Sequence, residues 1–204
     1  MLKVQKIILT SVVCAVTTVA LFARADTETG SFSARGTGAQ TCATVTAGFQ
    51  ADAPIAQNEV ASWLSGYISH MNRTTEGYFD VSPVQDTRHL AIVINAACAQ
   101  NPDSLLEGVS WTVISALRPL ASKTETDLVT VENDLGSITL RSDVLLEMQK
   151  ILVTEGVLDA NQADGQYGQN TNNALRTYQE ANGLSVTGLP EAFTMLSIAQ
   201  KLQQ

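Results

Sequence analysis

Histidine is nearly absent from this chain, and the sequence motifs of the best-known enzyme families are missing. The 204 residues include two histidines, His70 and His89, and neither has a partner at metal-ligand spacing. There is no Gly-x-Ser-x-Gly elbow, no His-Glu-x-x-His sequence and no phosphate-binding loop. Glu76, Asp80 and Asp86 would supply a glycosidase pair, but acidic residues are common throughout the chain. We therefore expect a protein that is not an enzyme and that holds no metal or other cofactor.

Long apolar runs are also scarce, and the one at the N-terminus has the pattern of an export signal. Lys3 and Lys6 precede an apolar run over residues 7–22, and Ala-Arg-Ala at 23–25 supplies a cleavage site. An uncleaved membrane anchor is the alternative, but the run is short for a span and polar residues follow it. We expect residues 1–25 to be a signal peptide and the mature protein to be exported to the periplasm.

Basic residues are few in comparison with acidic ones. The chain has 12 lysines and arginines against 20 aspartates and glutamates, which gives a formal net charge of −8. Cleavage after residue 25 would remove Lys3, Lys6 and Arg24, so the mature charge becomes 9 − 20 = −11. A field of this sign repels nucleic acid and anionic lipid. We therefore expect no nucleic-acid partner, and no stable membrane span once the signal is removed.

Cysteine is limited to three residues, one of which lies inside the predicted signal. The mature chain keeps Cys42 and Cys98, and an even pair in an exported protein is typical of a disulfide. Such a bond would close a loop of about 57 residues and stabilise the fold by roughly 4 kcal/mol. Two buried free thiols or half of a metal site are the alternatives.

The hydrophobic pattern predicts a mainly α-helical protein with two domains. Residues 26–40 are rich in glycine, serine and threonine and predict a flexible leader. Helical periodicity over 57–71, 87–100 and 104–120 predicts a small helical domain at 41–120, closed by the disulfide.

A polar linker and a second helical domain follow. The linker at 121–142 contains two strand-like runs, 127–131 and 137–140, which would form a hairpin. Residues 143–204 predict three helices that begin near Ser142, Thr171 and Pro190. The last of them would bury Phe193, Leu196 and Ala199.

Glycines and small polar residues lie at fixed positions between these last three helices. Gly165, Gly168 and Gly188 permit backbone angles that side chains forbid. Asp164 would accept hydrogen bonds from backbone N–H groups, and Thr171 would cap a helix. Over about residues 144–199, the pattern resembles the peptidoglycan-binding domain found on many wall hydrolases and envelope proteins. The matching positions are 146–152 with Gln149, Gly156, Asp164-Gly165, Tyr167-Gly168, Thr171, Ala174-Leu175, Tyr178-Gln179, Gly183-Leu184, Thr187-Gly188 and Leu196.

The resemblance implies that the ligand is the glycan or the stem peptide of the cell wall. Most of the matching residues are fold residues, and we expect Gln179 to hold a neighbouring loop by its amide. The candidate contacts lie on the glycine loop and the helix start, where Tyr167 would pack on a sugar face and Arg176 would pair with a carboxylate. The candidates are Tyr167, Gln169, Asn170, Asn172, Asn173 and Arg176.

The first domain contains Cys42, the sequence Trp-Leu-Ser-Gly-Tyr at 63–67, and Cys-Ala-Gln-Asn-Pro at 98–102. In these positions it resembles the HdeA family of small periplasmic chaperones with one disulfide. The same layout is similar to a group of immunity proteins that block secreted wall-degrading enzymes. Ordinary helix packing is the alternative role of Trp63 and Tyr67.

These observations predict an exported, non-catalytic envelope protein. Its C-terminal domain would bind peptidoglycan, and its N-terminal domain would bind another envelope or secreted protein. One alternative is an acid-stress chaperone or an inhibitor of a secreted hydrolase. Another is a wall hydrolase with an unrecognised active site in residues 41–120.

Overall fold

The computed structural model describes residues 32–203. The predicted signal peptide and residues 26–31 of the predicted leader lie outside these residues. Ala34–Gln204 form one compact unit, so the two predicted helical regions pack against each other. Within the described part, the chain forms seven α-helices and one two-stranded sheet, which confirms the mainly α fold class. No helix described there is both long and apolar enough to cross a membrane.

Four helices make up the N-terminal half: α1 (Cys42–Ala51), α2 (Ala53–Thr74), α3 (Thr87–Gln100) and α4 (Leu106–Leu117). Each of the first three begins at a side-chain cap, because the side chains of Thr41, Asp52 and Asp86 accept hydrogen bonds from backbone N–H groups of the first turn. The observed α3 has the predicted bounds. The observed α2 begins four residues earlier than predicted, since Asp52 rather than a later residue caps it.

A single apolar face on each long helix builds the core. On α2, the buried residues Val60, Leu64, Ile68 and Met71 repeat every three or four positions, as an amphipathic helix requires. The segment before α1 also contributes, because residues 36–39 form a 3₁₀ turn in which Gly38 is buried. A Cβ on Gly38 would lie 2.2 Å from the Trp63 ring, so glycine is required there.

The disulfide joins Cys42, at the start of α1, to Cys98, near the end of α3. Both cysteines are fully buried. The bond confirms the predicted pairing and excludes free thiols and a metal pair. Backbone bonds reinforce the junction, since the N–H of Cys42 donates to the Ser104 carbonyl at 2.8 Å and that of Ala43 to the Pro102 carbonyl at 2.9 Å.

A β-hairpin connects the two halves. Strand β1 (Leu128–Asn133) pairs antiparallel with β2 (Gly136–Arg141). An isolated hairpin is marginal in water, but Val131 and Leu140 bury their side chains in the common core. The hairpin is therefore part of the folded unit.

The C-terminal half consists of α5 (Ser142–Thr154), α6 (Gln169–Ala181) and α7 (Ala192–Lys201). Gly156 and Gly183 follow α5 and α6 with φ of +73° and +65°, which is the left-handed geometry of a helix C-cap.

Two predictions about these helices were wrong. Thr171 does not cap α6, because the helix begins earlier, at Gln169, and the Thr171 side chain is buried inside it. Phe193 is not buried but 42 % exposed. The buried face of α7 includes Met195 and Ile198, and Phe193 lies about 200° round the helix from Met195.

A nearly buried ion pair connects the N-terminal half to the hairpin. Arg141 Nε donates to Asp80 Oδ2 at 3.1 Å, with 14 % and 10 % of the two side chains exposed. Gln85 donates to the same carboxylate oxygen at 2.9 Å, and Arg141 also donates to the Thr126 carbonyl at 2.8 Å. The guanidinium lies 4.6 Å from the centre of the Phe79 ring. Both side chains of the ion pair have further hydrogen-bond partners, and the pair joins residues that are 61 positions apart in the sequence.

Candidate functional site

Two buried glutamines hold the loops of the C-terminal half. Gln149, fully buried on α5, accepts from the Gly165 N–H at 2.7 Å and donates to the Gln166 carbonyl at 2.8 Å. It also donates to the Thr171 hydroxyl at 2.9 Å. The glycine loop is therefore fixed by a side chain inside the core, and Asp164 tightens it as predicted by accepting from the Gln166 N–H at 2.8 Å.

Gln179 performs the same task for the loop after α6. Its Oε1 accepts from the N–H groups of Thr187 and Gly188 at 3.0 and 2.8 Å. Its Nε2 donates to the Leu189 carbonyl at 2.8 Å and to the Thr194 hydroxyl at 3.0 Å. These bonds confirm the prediction that the Gln179 amide holds a neighbouring loop.

Tyr167 links the two loops. Its hydroxyl donates to the Gly188 carbonyl at 2.8 Å and accepts from Asn172 Nδ2 at 2.8 Å. Gly188 has φ +76°, and a Cβ there would lie 2.6 Å from Asn172 Nδ2. Glycine is therefore required at this position for both its backbone angle and its space. The Tyr167 hydroxyl thus stabilises the two loops, and the half-buried Tyr167 ring still lines the surface.

An open groove of about 640 Å³ lies over this network. Five of the six predicted contacts line it, which brings together Tyr167, Gln169, Asn172, Asn173 and Arg176. Gln169 Nε2 donates to Asn173 Oδ1 at 2.9 Å, so these two amides are ordered along the start of α6. With no aliphatic side chain in its lining, the groove suits a polar ligand better than an apolar one.

Asn170, the sixth predicted contact, is not in this groove. Its amide donates to Gln162 Oε1. The side chain lines a separate depression next to Leu158 and Thr177. The reason is helical geometry, because Asn170 and Asn172 point about 200° apart around α6.

Sequence reasoning missed the second wall of the groove. Glu132, Asn133 and Asp134, at the tip of the hairpin, line it opposite the helix. Asn133 Nδ2 donates to the Thr187 carbonyl at 2.9 Å, which attaches the tip to the loop that Gln179 holds. The Asn-Asp-Leu-Gly turn signalled a hairpin, but no local signal indicates where a hairpin tip packs.

The charged groups of the groove are accessible. Arg176, Glu132 and Asp134 are all exposed. Among residues 32–203, the ion pairs formed do not include any of the three. A guanidinium in this state is available to a ligand carboxylate, which it can bind through two parallel hydrogen bonds.

Two of the three acidic residues considered as a glycosidase pair have structural roles, and the third, Glu76, is exposed. Asp80 pairs with Arg141, and Asp86 caps α3 and binds Arg88. The hydrogen bond from the Arg88 side chain holds the pKa of Asp86 below its ordinary value. Within residues 32–203, no cluster of three or more histidine, cysteine or acidic side chains could hold a metal ion.

Tyr67, the tyrosine of the N-terminal half whose pKa is shifted, also has a structural role. Burial, together with a 2.7 Å hydrogen bond to Glu107, raises the pKa of Tyr67 well above its ordinary value. Its ring stacks on Trp63 with centres 4.7 Å apart. The pair packs on the core, which supports the packing role expected for these aromatics.

Comparison with known protein families finds a match for the C-terminal half. Residues 141–196 match the family model described as "Putative peptidoglycan binding domain", which confirms the predicted resemblance. Together with the disulfide, this match indicates a protein of the cell envelope. Comparison with curated proteins and with solved structures finds no match. The resemblance of residues 41–120 to the HdeA family stays a prediction.

Proposed function

We propose that this chain is a non-catalytic, exported protein of the periplasm that binds peptidoglycan in the groove between α6 and the hairpin. The groove carries the proposal, because six of the nine residues that line it lie in the region that matches the peptidoglycan-binding family. Tyr167 lies on the loop that Gln149 holds from inside the core, and its hydroxyl binds the Gly188 carbonyl of the loop that Gln179 holds. A site fixed before binding loses less conformational entropy when the ligand arrives.

The chemistry of the groove agrees with a wall ligand. Stem peptides present carboxylates and amides, and the groove presents Arg176 beside the amides of Gln169 and Asn173. The half-buried Tyr167 ring offers a flat face on which a sugar can pack.

Retention on purified insoluble wall tests this function. The full chain is the right material, because residues 34–204 form one compact unit and a truncation would expose core. We expect Arg176→Gln to weaken binding about tenfold, since a charge-assisted hydrogen bond contributes about 1.5–3 kcal/mol. Arg73→Gln, an exposed arginine on α2 with the same change of charge, should bind as the wild type does.

Equal retention of both variants would argue against the groove, and no retention of the wild type would refute the function itself. The same wall suspension tests the non-catalytic part of the proposal. Its turbidity should stay constant and no muropeptides should appear. Release of muropeptides would instead favour the hydrolase alternative.

For the N-terminal half, we propose a role in binding another envelope or secreted protein. Trp111 supports this role, because 49 % of it is exposed and Arg118 stacks over its ring at 5.4 Å. Large aromatics and arginine are the residues most enriched at the energetic centres of interfaces. Suppression of aggregation only after acidification would favour the chaperone alternative, and inhibition of a secreted wall hydrolase at neutral pH would favour the inhibitor.

A further inference from the structure

The groove has two walls of opposite charge. The hairpin tip contributes the carboxylates of Glu132 and Asp134, and α6 contributes the guanidinium of Arg176. The carboxylate wall lies outside the residues that match the peptidoglycan-binding family, which begin at 141. The hairpin that precedes the matching region therefore supplies this wall.

Hydrogen bonds of the hairpin tip hold the carboxylate wall in place beside the groove. Asn133, between the two acids, donates to the Thr187 carbonyl at 2.9 Å. The same side chain accepts from the Leu135 N–H at 2.9 Å and closes the turn. The two acids are thus fixed relative to the loop whose Gly188 carbonyl binds Tyr167.

Charge complementarity defines the ligand. Two carboxylates and one guanidinium give the lining a net charge of −1. A ligand that carries only carboxylates would gain from Arg176 but would be repelled by the opposite wall. A ligand that carries an ammonium group and a carboxylate satisfies both walls, with charge-assisted hydrogen bonds on each side.

We propose that the groove selects wall peptides whose side-chain amine is free, an inference that depends on the proposed wall-binding function. Glu132 and Asp134 bind the ammonium group, and Arg176 binds a carboxylate of the same peptide. Cross-linking of stem peptides converts this amine into an uncharged amide, which offers nothing to the carboxylate wall. The protein therefore favours peptides that are not yet cross-linked through this amine.

Titration with a soluble disaccharide-peptide monomer tests the selection. One sample keeps its amine, and the other has it acetylated with acetic anhydride. We expect acetylation to weaken wild-type binding about tenfold, as loss of a charge-assisted contact does. The double variant Glu132→Gln, Asp134→Asn should bind both forms with equal, weakened affinity.

A matched control carries the same change of charge elsewhere. Glu59→Gln with Asp103→Asn alters two exposed acids outside the groove, and it should keep the tenfold preference. Equal affinity of the wild type for both monomers, or no affinity for either, overturns the selection. A preference for the acetylated form also overturns it and indicates an anionic ligand. Retention on insoluble wall is measured separately and tests wall binding itself. A failed titration therefore refutes the selection for free amines and does not by itself refute wall binding.

Discussion

Replacement of Gln179 by methionine tests whether one buried amide holds the groove. Methionine has a similar length and no hydrogen-bonding amide, so the change removes the bonds with little loss of volume. The N–H of Gly188 and the Thr194 hydroxyl lose their buried partner. The Leu189 carbonyl and the Thr187 N–H also lose Gln179, but they keep bonds to the Glu191 N–H at 2.9 Å and to the Ser185 carbonyl at 3.1 Å.

The magnitude follows from these partners. A buried polar group left without a hydrogen bond costs about 1–3 kcal/mol, and loop relaxation toward water lowers the sum for the two groups to about 2–4 kcal/mol. For a protein of this size, that change lowers the melting temperature by roughly 4–16 °C. Because the Thr187–Gly188 loop also carries the acceptor of Tyr167, wall retention should fall even at temperatures where the variant is folded.

Equilibrium unfolding in urea, followed by circular dichroism, measures the change. Gln200→Met is the matched control, because Gln200 is exposed on α7 and surface substitutions usually change stability by less than about 0.5 kcal/mol. If both variants unfold at the same urea concentration, the Gln179 network is not what holds the loop. Loss of retention without loss of stability would equally contradict the reasoning.

Two further substitutions test the N-terminal half and its junction. Arg141→Met leaves the Asp80 carboxylate buried without its cation and should cost about 3 kcal/mol in urea unfolding. Arg88→Met breaks an exposed pair and should leave the urea midpoint close to that of the wild type; equal shifts would contradict the buried role. In the native state, burial and Glu107 raise the pKa of Tyr67, so its hydroxyl keeps the proton. The unfolded tyrosine loses its proton near pH 10. The free energy of unfolding of the wild type should therefore fall above that pH. Tyr67→Phe should show a smaller fall between pH 8 and pH 11 in thermal unfolding, and an identical fall would refute this assignment.

Much of the fold could be predicted because its signals are local. Helix α3 has the predicted bounds, since Asp86 caps it and Asn101-Pro102 follows its end. Gly156, one of the matching positions, follows α5 with φ of +73°, a left-handed angle that glycine adopts at the lowest cost. The cysteine pair could also be predicted from the even count in an exported chain.

Features that depend on distant residues could not be predicted from the sequence. The pairing of Asp80 with Arg141 joins an acid from the N-terminal half to the last residue of β2, and nothing in either neighbourhood indicates the other. The acidic wall of the groove was missed for the same reason, because Glu132 and Asp134 look like ordinary polar turn residues. In contrast, Tyr167 and Arg176 lie on one loop and the helix after it, where spacing alone brings them together.

The hairpin makes wall binding a property of the whole folded unit. One of its strands ends in Arg141, which pairs with Asp80 in the N-terminal half, and its tip forms one side of the groove. The matching family region begins at residue 141, so it contains the helix wall and not the acidic wall. A change in the N-terminal half that moved Asp80 would act on β2, which pairs with the strand that carries Glu132. The buried ion pair is therefore a direct contact between the N-terminal half and the hairpin that forms the acidic wall of the groove.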